Sequence, residues 1–472
     1  MNLRALYCFA LLSALNVCSA APRPNIVFFL ADDLGWTGLS CFGSDLYETP
    51  HLDALAKSGM KFTDSYSACT VCSPSRAAIM TGMHPARLHL TTFIAGQNRP
   101  YAKLNIPDWT LGLEERHTTL AEALRDAGYR TWQIGKWHLD FPENPVGPTG
   151  HGFDFTQDRP SGSKGHFISD ETVGELGLET SYATDYFGQL AAEKISEESD
   201  DPFFLYFAFH VPHTPVTGRP DLVEYFEEKI TEGLTHHNPH FAAMVKSMDD
   251  AVGSVMTALG ESGQMENTLI VFTSDNGGLT QRYGKHDQFT ENLPLRRGKG
   301  SAYEGGVRVP TIVSWPGVVA ENSISDQPVM GTDFYPTLLE VAAAEGNPEH
   351  NANLDGVNLI EVFKNPEATL DRDLFWHFPH YHAGGDSPYS SIRSGDWRLV
   401  EFFEDDSLEL YRLDEDLGES MNVTSAHPEK TDELLRRLNQ WREEVGAQSM
   451  TENPNFDPEK QTEVAKRKKP KK

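Results

Sequence analysis

The sequence predicts an α/β protein, with a large, mixed but mostly parallel sheet flanked by helices and a smaller C-terminal α+β unit. Three observations carry this reading. Unbroken apolar runs of strand length, at 25–30, 203–209 and 268–272, are the pattern of strands covered on both faces. Stretches of helical periodicity lie between them. Each run stops abruptly at charged or polar residues, and the exits of strands in open α/β sheets are where such folds collect ligands.

Taken in order, the run 25–30 ends at Asp32-Asp33. Two adjacent carboxylates at the end of a buried strand are costly unless something cationic holds them. Residues 119–127 read as a helix, with Thr119 and Glu122 as a capping box and Gly128 beyond its end. A strand at 129–134 runs into Gly135-Lys136-Trp137-His138, and the run 203–209 into His210-Val211-Pro212-His213-Thr214-Pro215. Phe241, Met244, Val245, Met248, Val252, Val255 and Leu259 mark one face of a helix. The strand 268–272 leads to Ser274-Asp275-Asn276-Gly277-Gly278, and a further strand covers 309–315. Past 345 the texture changes: 345–355 is polar and helix-breaking, 397–403 with 408–413 reads as a hairpin, and Leu434, Leu438, Trp441 and Val445 line a last amphipathic helix. The expected organisation is a secretory signal at 1–20, a large α/β domain at 22–345, an α+β unit at 346–455 and a basic, disordered tail at 456–472.

The signal assignment rests on a basic start, an apolar stretch to Val17 and small residues at 18–20, so the mature chain is expected outside the cytoplasm, periplasmic or secreted. No later apolar run is long enough to span a bilayer. The net charge of −29 excludes nucleic acid as a partner and leaves an anionic substrate dependent on a local cluster of bases. Three cysteines follow the signal, Cys41, Cys69 and Cys72, too few for a disulfide scaffold. A Cys41–Cys69 pair would leave Cys72 over, but spacing does not decide it.

Cys72-Ser73-Pro74-Ser75-Arg76 reads as a loop turning into a helix, with Ser73 as N-cap, Pro74 at the first helical position, Cys72 just outside and Arg76 one turn in. That places a potential nucleophile at the positive end of a helix dipole beside a guanidinium. The strand exits add Asp32, Asp33, Lys136, His138, His213, Asp275 and Asn276, and the segment before the 309–315 strand adds Arg296, Arg297, Lys299, Glu304 and Arg308. Parallel strands bring such ends to one edge. Taken singly, Lys136 reads as a surface lysine and His213 as a loop histidine; the ordered set is what points to a site.

The Cys72 stretch, with Thr81-Gly82 after it, resembles the signature of the type I, formylglycine-dependent sulfatases of the alkaline phosphatase superfamily. Ala31-Asp32-Asp33-Leu34-Gly35, Gly135-Lys136-Trp137-His138-Leu139, Pro212-His213-Thr214-Pro215, Ser274-Asp275-Asn276-Gly277 and Gly298-Lys299-Gly300 match further family segments in order, and the resemblance covers nearly all of 24–424. It implies hydrolysis of sulfate esters, with a sulfated carbohydrate or aryl sulfate as substrate. It also implies conversion of Cys72 to formylglycine by a maturation enzyme, and one divalent cation per chain, calcium or alternatively magnesium. Asp32, Asp33, Asp275, Asn276 and the modified Cys72 are then the metal ligands; the side-chain oxygens among them suit a hard ion. Arg76, Lys136 and Lys299 surround the sulfate, His213 is the general acid, and His138 takes a proton from the diol so that sulfate is expelled and the aldehyde returns. Ser161 and Ser163 are both candidates for a further polar ligand. His210, Arg297 and Arg308 either join the site or brace loops, and His377, His380 and His382 either reach the pocket or pack. Loops 90–115, 140–175, 280–297 and 376–390 are expected to read the rest of the substrate. A phosphate- or phosphonate-ester hydrolase of the same superfold and a catalytically silent glycan binder stand as alternatives.

Overall fold

A computed structural model of the chain describes residues 23–281 and 288–465. The expected signal at 1–20 and the last basic residues, 466–472, lie outside the described residues. The large unit is built on an eight-stranded sheet. In space its strands run Ser323–Ser325, Met60–Phe62, Thr311–Ser314, Thr268–Ser274, Asn25–Ala31, Phe203–Ala208, Arg130–Gly135 and Phe155–Gln157. Thr311–Ser314 pairs antiparallel with both of its neighbours, while the other pairings are parallel.

Asn25–Ala31 sits at the centre, paired in register with Phe203–Ala208 on one side and Thr268–Ser274 on the other, and all seven of its residues are buried. Its alternate side chains enter two cores. Val27, Phe29 and Ala31 meet the long helix Pro239–Glu261, and Ile26, Phe28 and Leu30 meet the helices Leu120–Asp126 and Phe334–Ala342. Each phenylalanine removed from water contributes about 1.5–3 kcal/mol, so the apolar run fixes the middle of the sheet. The capping box of Thr119 and Glu122 is formed, and Asn238 caps the long helix by accepting the N–H of Phe241.

The smaller unit is a four-stranded antiparallel sheet in the order Asp373–Phe378, Tyr389–Ser394, Trp397–Phe402, Ser407–Arg412. Beyond the expected hairpin it has two further strands, whose alternation is interrupted by His377 in one and by Ser390 and Ser391 in the other. One face takes the helix Pro428–Glu444 through Ile392, Leu399, Leu410, Leu434 and Leu438. The other, with Trp376, Tyr389, Val400 and Tyr411, packs on Val71, Ala78, Ala302 and Val307 of the large unit. Leu359, Val362 and Phe363 pack into the large unit's core with Leu338, so the chain leaves that core later than residue 345.

Residues 456–465, expected as disordered tail, lie instead against the loop 98–103. Their polar, turn-rich sequence shows no periodicity; backbone hydrogen bonds hold them. Cys41, Cys69 and Cys72 are all free thiols, and Cys41 and Cys69 belong to different apolar clusters, so the Cys41–Cys69 pair is not formed. Among the described residues no helix is long and apolar enough to cross a membrane.

Candidate active site

The C-terminal edge of the parallel strands gathers the strand-exit residues. Because Thr311–Ser314 runs the other way, the segment before it, with Lys299, arrives at that same edge.

The backbone is shaped for this. Asp33 takes φ 67° and donates its N–H to Asp275 Oδ1 at 3.1 Å. Gly135, at φ 93°, passes so close to Ala208 that a Cβ would sit 1.9 Å from its carbonyl oxygen. Lys136 then bonds back to the same carbonyl at 2.7 Å, and His138 follows at φ 62°. Left-handed non-glycine residues cost energy and persist where the surroundings over-determine them.

Cys72 opens the buried helix Cys72–Thr81 as its first residue; Val71 precedes it, and no side chain caps the helix. This corrects the expected start at Ser73-Pro74. Pro74 still costs nothing, because the N–H groups of a helix's first turn have no partner within it. Ser73 Oγ is used elsewhere, accepting the N–H of Ile94 at 3.0 Å.

Around Cys72 each basic group holds an acid. Arg76, with no exposure, donates to Asp275 Oδ2 at 2.7 and 2.9 Å and to the Lys136 carbonyl at 2.9 Å. Lys136 Nζ meets both Asp32 oxygens at 2.7 and 2.9 Å. Lys299 Nζ meets both Asp33 oxygens at 2.6 and 2.8 Å and lies 3.4 Å from Cys72 Sγ. Burial pushes the Asp32 and Asp33 carboxyls up, but for Asp32 chiefly Lys136, and for Asp33 chiefly Lys299, outweighs it and holds them below the usual carboxylate range. Both lysines are held above theirs: burial opposes their charge, and the carboxylates, Asp32 for Lys136 and Asp33 for Lys299, override it.

Burial pushes the Cys72 thiol up and outweighs the pull of Lys136 and Lys299, and Asp275 and Asp32 add to the rise, so the sulfur is protonated. It lies 3.5 Å from Asp32 Oδ1 and 3.9 Å from Asp33 Oδ1. A protonated thiol facing carboxylates is not a thiolate nucleophile. His138 is driven well below its ordinary value by burial, then by Lys136 and Arg76; its Nδ1 is buried without a partner. Burial also lowers His213. Its Nδ1 faces the Thr214 carbonyl at 2.7 Å, which assigns that nitrogen the proton, and Nε2 points toward Asp33 Oδ2 at 3.7 Å.

Asn276 Nδ2 donates to Asp33 Oδ1 at 2.8 Å and to the Gly277 carbonyl at 2.9 Å. Two acceptors on that side fix the amide orientation, and they leave Asn276 Oδ1 buried without a partner. An orphaned amide oxygen on the strand exit that also carries Asp275, together with the carboxylates of Asp32 and Asp33, supplies oxygen donors of the kind a hard cation takes. Asp32, Asp33, Cys72 and His213 also present ligand atoms within 4.8 Å of one another.

A cavity of about 210 Å³ opens above Cys72, between Asp33, His138, His213 and Lys299 on one side and Phe93, Gln97, Leu279 and His382 on the other. The structure thus gathers Asp32, Asp33, Cys72, Arg76, Lys136, His138, His213, Asp275, Asn276 and Lys299 at one place. Several other candidates lie outside the cavity lining. Ser163 donates to the Pro160 carbonyl, and Ser161 is exposed. His210 pairs with Asp158 at 2.9 Å, Arg308 with Glu304 and Asp64, and Arg297 with Asp386 at 3.6 Å. His377 bonds Ser390 and the Gln448 carbonyl, and His380 bonds Thr91. Of the three late histidines only His382 reaches the cavity. Phe93, Gln97 and Leu279 had no individual signal in the sequence; Leu279 follows the Asp275-Asn276 segment, and the other two lie in a long irregular stretch.

The Sulfatase family profile matches residues 24–344, and the profile described as "N-sulphoglucosamine sulphohydrolase, C-terminal" matches 298–445. Arylsulfatase A of Homo sapiens is 32% identical over 91% of this chain and 89% of its own length. N-acetylgalactosamine-6-sulfatase of Rattus norvegicus is 33% identical over 78% of this chain and 71% of its own. The crystal structure of Ps i-CgsB in complex with k-i-k-neocarrahexaose superposes with a TM-score of 0.74 at 28% identity, covering 92% of this chain and 94% of that one.

Proposed function

The chain belongs to the sulfatase family of the alkaline phosphatase superfamily and is a sulfuric ester hydrolase; from that premise we propose that it is an exported enzyme releasing sulfate from carbohydrates. In this reading Cys72 is the precursor of formylglycine, installed by a maturation enzyme, and calcium, or alternatively magnesium, is held by Asp32, Asp33, Asp275, Asn276 and the modified residue 72. The observation that carries it is a protonated, buried Cys72 whose sulfur faces Asp32 and Asp33, with the orphaned Asn276 Oδ1 on the same strand exit as Asp275: neither suits thiolate chemistry, and both suit an oxygen nucleophile beside a hard ion. The carbohydrate assignment is supported by the relatives, among them an N-acetylgalactosamine-6-sulfatase and a structure in complex with k-i-k-neocarrahexaose.

When bound, the ion polarises a sulfate oxygen. Formylglycine at position 72 would supply an oxygen nucleophile where the Cys72 thiol now stands. The chain's own groups do the rest. Arg76, Lys136 and Lys299 are already fixed by Asp275, Asp32 and Asp33, so their charges need no reorganisation when negative charge builds on the sulfate. His138, kept neutral and with Nδ1 free, accepts the proton from residue 72. His213 holds its Nδ1 proton against Thr214, so Nε2 is the atom that delivers a proton to the leaving oxygen. That requires the imidazolium, which Asp32 and Asp33 favour and burial opposes.

The test is protein co-produced with a formylglycine-generating enzyme. The peptide containing residue 72 should carry the mass of formylglycine, aryl sulfate should be cleaved faster than aryl phosphate, and a screen of sulfated mono- and oligosaccharides should return at least one substrate. Full activity in Cys72→Ala, or a preference for aryl phosphate, would sink the reading.

A further inference from the structure

One wall of the cavity is made by a stretch with little structure of its own. Residues 93–105 contribute Phe93 and Gln97 to the lining, and within the stretch the backbone bonds to itself through the Gly96 N–H to the Phe93 carbonyl and the Ala102 N–H to the Arg99 carbonyl. A segment of this kind keeps one position only if other parts of the chain hold it.

The C-terminal segment does so. Five carbonyls of the stretch accept from it: Asn98 from the Ala465 N–H at 2.9 Å, Pro100 and Ala102 from Asn453 Nδ2 at 3.0 and 2.7 Å, Tyr101 from the Asp457 N–H at 3.2 Å, and Lys103 from the Asn453 N–H at 3.1 Å. Thr451–Glu452 pairs antiparallel with Leu104–Asn105, Asn105 Nδ2 reaches the Glu452 carbonyl at 3.1 Å, and Lys460 Nζ sits 5.5 Å over the Tyr101 ring. Asn453 is 6% exposed and makes three of the five bonds.

The opposite side of the stretch is held by the small unit's cavity loop. Tyr381 Oη accepts the Leu104 N–H at 3.1 Å, and Arg99 Nη2 donates to the carbonyl of His382, itself a lining residue. The Gln97 Oε1 and Arg99 Nε atoms are buried without partners, so this wall carries unspent hydrogen-bonding capacity.

We propose that residues 449–465 form a strap that positions the 93–105 wall, and that through Gln97 and its neighbours the strap sets recognition of the sugar beyond the sulfate, leaving the sulfur chemistry itself untouched. This rests on the carbohydrate reading above. Asn453 is a positioning residue: it is bonded to the wall and does not line the cavity.

The test compares Asn453→Ala with the wild type, both matured, on 4-nitrophenyl sulfate and on two oligosaccharides, a carrageenan hexasaccharide and a 6-sulfated N-acetylgalactosamine oligosaccharide. KM for a cleaved oligosaccharide should rise about tenfold, while kcat/KM for the aryl sulfate stays within about twofold, since misplacing a positioning element costs on that order. Amide exchange over 98–105 should quicken while the Cys72–Thr81 helix stays protected. Asn105→Ala, at an exposed position, makes the same comparison with a smaller rise, about threefold, and carries the test if Asn453→Ala does not fold. Equal losses on all substrates, or no loss on any, would overturn the proposal. Cleavage of aryl sulfate but of neither oligosaccharide by the wild type would instead remove the carbohydrate reading on which it stands.

Discussion

Replacing Lys299 with methionine removes the cation that touches both oxygens of Asp33, at 2.6 and 2.8 Å, from a pair whose side chains are 9% and 3% exposed. Methionine keeps most of the side chain's volume, so the change is electrostatic. Breaking a buried pair on one side costs about 3–5 kcal/mol. The Asn276 amide at 2.8 Å and His213 at 3.7 Å still face Asp33, which places the loss at the lower end, about 3 kcal/mol. In the proposed mechanism the same ammonium is one of three preorganised charges around the sulfate, and loss of one such donor costs about 10²–10³-fold in kcat. The pH dependence has a definite sign. In the wild type the Asp33 carboxyl lies below its ordinary value of 3.8, with burial overridden chiefly by Lys299, so its contribution is present above that value and fades as pH falls through the folded one. Without Lys299, burial raises the carboxyl, and the variant's deficit is greatest near neutral pH and shrinks toward about pH 4. Urea unfolding at neutral and acid pH, with aryl sulfate kinetics beside it, measures both effects. A variant within about 1 kcal/mol of wild type at neutral pH and within about tenfold in kcat would refute the assignment of Lys299.

Three further outcomes follow from named contacts. His84 donates from Nε2 to the Phe375 carbonyl at 2.9 Å and accepts the Ala86 N–H at Nδ1, and burial pushes it down to about 4. Its neutral form therefore contributes stability that is complete above its ordinary value of 6.5 and is lost as pH falls to about 4, by roughly 3 kcal/mol; an acid titration of the unfolding free energy that is no shallower in His84→Gln would contradict this. Calcium should raise the thermal midpoint of the wild type and raise it much less in Asn276→Ala, because the orphaned Oδ1 is then gone; equal shifts would remove Asn276 from the ligand set. Gly300→Ala should cost about 2 kcal/mol or more and depress activity, since φ is 83° and the new Cβ would lie 2.0 Å from His382 Nδ1, one residue from Lys299; a wild-type unfolding curve would show the position to be tolerant.

Much of this molecule was legible in its linear order. Apolar runs such as 25–30 and 203–209 named the central strands because both faces of those strands are buried, and burial on both faces leaves little freedom in side-chain choice. The capping box at Thr119 and Glu122 is local chemistry and formed as read. The strands Asp373–Phe378 and Tyr389–Ser394 were not legible, because residues such as His377 and Ser390 satisfy each other across the pair and interrupt the alternation. The helix start at Cys72 moved by two residues because Ser73 found a tertiary partner in Ile94 in place of a cap.

The sequence by itself determined which residues meet. Asp32, Asp33, Lys136, His213, Asp275 and Asn276 each follow a buried parallel strand, and parallel strands deliver their ends to one edge. What tertiary structure alone decided is how those residues stand toward one another: which lysine holds which aspartate, that the Asn276 amide turns its nitrogen to Asp33 and leaves its oxygen free, and that Cys72 is buried as a thiol. The wall at 93–105 belongs to the same class. It is held by Asn453, some 350 residues further along the chain. Such bonds run between backbone carbonyls and one amide side chain, and a backbone carbonyl, present at every residue, leaves no mark in a sequence.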